Sequence, residues 1–129
     1  MKLIVLPEEF AVARLEPSDA IPAWAMQAPV FSATRTPDEL SIVCARPHLP
    51  PEVRAARGWR CLRVAGTIDF AATGVLASIA GPLANAGVSI FAISTYDTDY
   101  VLVPEHALAA AIAALTAAGH DVDAAPRQP

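Results

Sequence analysis

Hydrophobic and polar positions alternate along Arg60-Cys-Leu-Arg-Val-Ala-Gly66 as they do in a half-buried strand. Past that point the spacing becomes helical. Val75, Ile79, Leu83 and Ala86 fall on one stripe, and Gly87 supplies the C-terminal cap. Pro82 lies inside this helix, removes one backbone hydrogen bond and predicts a kink. Val88–Ser94 and Tyr100–Val103 are β-rich runs joined by a polar loop. Pro104-Glu105 opens a second helix with the stripe Leu108, Ile112 and Leu115, and Gly119 ends it. His120–Asp123 predicts a last short strand before a Pro/Ala tail that frays.

Leu83-Ala-Asn-Ala-Gly-Val and Leu115-Thr-Ala-Ala-Gly-His echo one another, each closing a helix with Ala-Gly ahead of a strand. Two such units give β-α-β-β-α-β, the ferredoxin-like order of an α+β fold, with both helices on one face of an antiparallel sheet. The earlier residues repeat this in shortened form. Leu3–Leu6 and Phe10–Leu15 predict strands, Pro17-Ser18-Asp19 caps a short helix over Ile21–Gln27, and Val30–Thr34 with Leu40–Ala45 forms a hairpin. Arg46-Pro-His-Leu-Pro-Pro-Glu52 reads as a stiff linker, and a second helix is missing. The expected division is an abbreviated first half, 1–57, and a complete second half, 58–129.

Composition narrows the function classes. Hydrophobic residues make up 54% of the 129 and charged residues 17%, so the chain is globular. A mean hydropathy of +0.41 points to a concealed apolar surface such as a dimer interface. The net charge of −4 and the lack of a basic cluster argue against nucleic acid. Cys44 and Cys61 lack CxxC spacing and sit in apolar runs, as buried thiols do. The opening Met-Lys-Leu-Ile-Val-Leu-Pro is too short for a signal peptide. The charge-free run from Phe70 to Ile93 is interrupted by Gly74, Gly81, Pro82, Asn85 and Gly87, so it reads as helix then strand rather than a membrane span. A cytoplasmic protein is expected.

Candidate chemistry concentrates between Asp69 and Asp99. A helix opening on Gly74 offers N–H groups to an anion, and the carboxylates after the next strand offer a partner to a cation. That combination suits a zwitterion such as an amino acid. Gly74 also has the plain role of making the strand-to-helix turn. Asp97 and Asp99 are common turn residues, Asp69 has a capping role, and Tyr96 either covers a ligand stem or is buried with its hydroxyl satisfied. Trp24 and Trp59 read as core or interface anchors. His48, His106 and His120 are isolated, Ser94-Thr95 has no nearby base, and phosphate-binding glycine loops are absent. No enzyme activity, metal or cofactor is expected.

Asp69 followed by Gly74-Val-Leu-x-x-Ile-x-x-x-Leu-x-x-x-Gly-Val-x-Ile90 resembles the opening signature of an ACT domain, a small ligand-binding module that regulates amino-acid metabolism. Thr73 stands where the usual pattern has proline, and Ser89 where it has asparagine. Ile93-Ser-Thr-Tyr-Asp-Thr-Asp-Tyr-Val-Leu-Val103, with Glu39–Val43 and Gly58–Val64, is similar to short bacterial proteins with paired ACT-like halves. It also resembles the ACT domains of cytosolic arginine sensors and aspartate-kinase regulatory domains. The resemblance implies a ferredoxin-like fold, no catalysis, and binding of an amino acid or similar small zwitterion at a domain or subunit interface; a homodimer is expected. The sensors' ligand segment carries over to Thr95, Tyr96 and Asp99, beside backbone groups of Thr73, Gly74 and Val75. A glutamate those sensors use is replaced here by Ala72. The competing readings are an assembly module that has lost ligand binding, and an uncharacterised enzyme.

Overall fold

Ten helices and strands follow one another in the computed structural model, which describes residues 1–69 and 71–124. They are β1 (Lys2–Leu15), α1 (Ala23–Met26), β2 (Phe31–Arg35), β3 (Leu40–Ala45), β4 (Ala55–Val64), α2 (Val75–Asn85), β5 (Phe91–Ser94), β6 (Asp99–Pro104), α3 (Leu108–Ala117) and β7 (Asp121–Asp123). Phe70 and the tail 125–129, expected to fray, lie outside the described residues. The chain forms two units: Glu8–Trp59, and Met1–Pro7 together with Arg60 onward.

In the Glu8–Trp59 unit, β3 pairs antiparallel with β1 through Phe10↔Ala45 to Leu15↔Leu40, and with β2 through Phe31↔Cys44 to Arg35↔Leu40. Ala11, Ala13, Ala25, Leu40, Ile42, Cys44 and Leu49 fill its core. The helix is shorter than expected, because Pro22 stands at its N-cap and Gln27 ends it. Arg46–Glu52 also departs from the expected stiff linker. It turns through a 3-10 segment at Arg46–His48 and buries Leu49. The Arg57 guanidinium donates to the carbonyls of Pro50, Pro51 and Val53 at 3.3, 3.3 and 3.0 Å, which holds this turn closed.

Burial pushes the Cys44 thiol above its ordinary value of 9.0. The folded state therefore favours the neutral thiol. Its contribution to stability is intact below that ordinary value and is lost as pH rises through the raised one, because the unfolded chain ionises first. Cys44 is expected to react with iodoacetamide at neutral pH only as fast as the unit unfolds, with urea accelerating labelling. Rapid labelling of the native protein, read by mass spectrometry, would contradict this.

The other unit carries the β-α-β-β-α-β order in β4, α2, β5, β6, α3 and β7. Its strand order is β7-β1-β4-β6-β5, with the start of β1 inserted between β7 and β4. The β1–β7 pair is parallel, Lys2↔Asp121 to Ile4↔Asp123, while β5–β6 is antiparallel. Leu3 and Val5 are 1% exposed, which is why these first residues belong to this core. The two runs read as separate strands are one strand through Pro7. Pro7 has no N–H, and it falls between the residues β1 pairs with β7 and those it pairs with β3, so neither ladder loses a bond.

Ile79 and Leu83 of α2 pack with Ala111 and Leu115 of α3 over Leu3, Val5, Leu62, Val64, Val101 and Val103. Both helices thus cover one face of the sheet, as the stripes require. The repeated Ala-Gly endings form the same C-terminal motif twice. Gly87 N–H donates to Ala84 and Val88 N–H to Leu83, at 3.0 and 2.9 Å; Gly119 N–H donates to Thr116 and His120 N–H to Leu115, both at 3.0 Å. Gly87 at φ 74° takes the left-handed conformation this motif needs.

Candidate functional site

The chain leaves β4 at Val64 and reaches α2 through a loop fixed by its own backbone. Asp69 Oδ1 accepts from the Ala71 N–H at 2.9 Å, and the Asp69 carbonyl accepts from Ala72 N–H at 2.9 Å. Ile68 N–H donates to the Asp97 carbonyl at 2.6 Å, tying this loop to the β5–β6 turn. Gly74 is the N-cap of α2, left-handed at φ 77°, and no side chain caps the helix there. The first N–H groups of α2 have no partner inside the helix and stand at the positive end of its dipole.

Strands β5 and β6 end their ladder at Ser94↔Asp99. The turn between them is closed by Thr95 N–H to Thr98 carbonyl at 2.9 Å, and the Thr95 hydroxyl donates to that carbonyl at 3.0 Å while accepting from Thr98 N–H at 3.2 Å. Thr98 is buried, and its hydroxyl donates to the Val64 carbonyl at 2.8 Å. Asp97 is exposed and Asp99 half-buried. Among the described residues neither carboxylate forms a hydrogen bond or ion pair.

These segments enclose a pocket of about 330 Å³ lined by Ile68, Asp69, Ala72, Gly74, Val75, Leu76 and Ser94–Asp99. That volume is at the small end for a small-molecule site. Of the residues singled out from the sequence, Gly74, Val75, Thr95, Tyr96 and Asp99 come together in it; Thr73 is not among its lining residues. Tyr96 is 79% exposed, which corrects the alternative of a buried tyrosine: the tight turn leaves its ring outside the core. The Thr95 hydroxyl spends its one proton on its own turn, so toward a ligand it has only an acceptor site left. Asp69 is occupied as a loop cap. Thr98 was missed, although its place between two acids on a strand edge is a signal that it faces inward.

Three aspartates line the pocket and no Lys, Arg or His does. Opposing them is the N-terminus of α2. Among the described residues no cluster of three His, Cys, Asp or Glu is placed to hold a metal. No helix there is long and apolar enough to cross a membrane.

The family model for the ACT domain matches residues 54–117, which contain every residue that lines this pocket. Residues 54–117 belong to the ACT-domain family. A separate model, for an N-terminal domain, matches 8–52. The human cytosolic arginine sensor for mTORC1 subunit 1 is 43% identical over 58 residues, 44% of this ACT-domain chain and 18% of the sensor. The matched segment thus spans under a fifth of the curated relatives' length. A crystal structure of an Agobacterium tumefaciens protein shares 40% identity, covers 99% of this chain and 96% of its own, and superposes with a TM-score of 0.92. The regulatory subunit of aspartate kinase from Thermus thermophilus, 14% identical, shares the fold at a TM-score of 0.63 over 89% of this chain and 97% of its own.

Replacing Thr98 with valine keeps the shape and removes one hydroxyl. The Val64 carbonyl then loses its donor inside the fold, at an expected cost of about 1–3 kcal/mol in urea denaturation. The same change removes one tie between the end of β4 and the turn that carries Asp97 and Asp99. A variant as stable as the parent would show that the Thr98–Val64 bond contributes nothing.

Proposed function

We propose that this protein is a non-catalytic regulatory module that binds an amino acid or closely related small zwitterion in the pocket between the start of α2 and the β5–β6 turn. The ligand carboxylate meets the backbone N–H groups of the Thr73–Val75 segment, and its amine meets the Asp99 carboxylate in a charge-assisted hydrogen bond. Tyr96 closes over the ligand stem from outside. A homodimeric, cytoplasmic protein in which the ligand shifts the balance between two arrangements of domains or subunits completes the reading.

The observation that carries it is the pairing, in one pocket, of an uncapped helix N-terminus with two carboxylates that have no protein partner. The excess of acid around the pocket favours amino acids with a second cation, in line with the arginine sensors among the relatives. Thermal melts and isothermal titration against the twenty amino acids test the proposal. A ligand held at about 100 times its Kd stabilises by about 2.7 kcal/mol, a clear rise in Tm. No heat and no Tm shift with any amino acid would sink it.

One observation favours the assembly reading instead. Ala72 lines the pocket at the position where the resemblance to the arginine sensors implies a glutamate. An assembly module keeps its oligomeric state and shows no ligand-dependent change when Asp99 is replaced.

A further inference from the structure

Proline inside a helix leaves a carbonyl one turn back without its donor. In α2 that proline is Pro82 and the carbonyl is Ser78. The carbonyl is not left empty. The ring of His120, the residue that follows Gly119 at the end of α3, donates to it from Nε2 at 2.9 Å. The Met1 amine lies 3.2 Å from Nδ1 of the same ring, so the tautomer with its hydrogen on Nε2 satisfies both neighbours. His120 is 9% exposed, one of the two buried polar side chains among the described residues. Ser78 in turn is tied to the first turn of α2. Its N–H donates to the Gly74 carbonyl at 2.9 Å and its hydroxyl to Val75 at 2.7 Å. Gly74 and Val75 line the pocket.

We propose that His120 is a positioning residue for the pocket: it latches α2 at the point where Pro82 opens the helix, and so holds the first turn of α2 in place. Pro82 is the hinge, and releasing His120 frees Gly74–Ser78 to move while Leu83 stays anchored in the core. That this matters to a ligand rests on the function proposed above; the latch itself does not, and its test uses no ligand.

The test is hydrogen exchange of backbone amides, read by mass spectrometry or NMR on the full chain. His120→Leu is expected to raise exchange over Ser78–Gly81 by about tenfold, leaving the β5–β6 amides unchanged. His120→Gln keeps a donor near the Nε2 position and is expected to keep most of the protection. Pro82→Ala restores an N–H that reaches the Ser78 carbonyl, so Pro82→Ala/His120→Leu returns α2 to parental exchange. That double variant carries the test even where His120→Leu alone does not fold. Exchange that rises evenly over the whole sheet, or that Pro82→Ala leaves uncorrected, overturns the latch.

Discussion

Asp99→Asn is expected to abolish most of the Tm rise given by the best-binding amino acid, while the unliganded variant melts no lower than the parent. The two halves of this result come from the same fact. The Asp99 carboxylate is half-buried, shares a pocket with Asp69 and Asp97, and makes no bond that the fold needs. Removing its charge eases repulsion among like charges, and surface changes of this kind stay within about 0.5 kcal/mol. Toward a ligand amine the same charge supplies a bond of about 1.5–3 kcal/mol, so affinity falls about 10- to 100-fold. Asp69→Asn is the contrasting control. It weakens the loop cap to Ala71 and so lowers the melting temperature with or without ligand. An Asp99 variant that keeps the full ligand-induced rise places the ligand elsewhere.

Leu83→Ala is expected to cost about 2–5 kcal/mol, the range for emptying a fully enclosed aliphatic site. Leu83 is 0% exposed and touches the cluster that joins both helices to the sheet. The truncation leaves a cavity under α2 that the rest of the cluster cannot collapse to fill, since Ile79 and Leu115 are themselves fully enclosed. For a chain of 129 residues this is a Tm drop of about 10 °C or more. Ala84→Ser, next along the same helix but exposed, should stay within about 0.5 kcal/mol. Calorimetry of the pair checks both, and comparable losses at the two sites would contradict the placement of the core.

Local patterning made much of this legible. The helical stripes ending in Ala-Gly placed α2 and α3, and each ending forms its cap because only glycine takes the left-handed step without strain. The hairpin at Thr95–Thr98 and the glycine at the start of α2 converge on the pocket because a helix start and a strand end are fixed by nearby residues. What the sequence hid is non-local. Nothing in Met-Lys-Leu-Ile-Val says that it pairs with Asp121–Asp123. Nor does an isolated histidine announce that its partner is a carbonyl orphaned by a proline 38 positions earlier, which takes both helix ends in place to see. The Arg46–Glu52 segment misled because its prolines read as stiffness, while its fold is decided by Leu49 and by the donors of Arg57.

The insertion of β1 between β4 and β7 has a consequence for how the chain is made. Lys2 must find Asp121, a partner that leaves the ribosome more than a hundred residues later. Residues 8–59 can close their own β1–β3 ladder early, through pairs 25 to 35 positions apart, and the start of β1 can pair with β4 next, whereas the β1–β7 ladder waits for the last strand. Such distant pairing slows folding in general. It makes the β1–β7 ladder a slow pairing to close, and a covalent link between positions 2 and 121 a direct way to speed it.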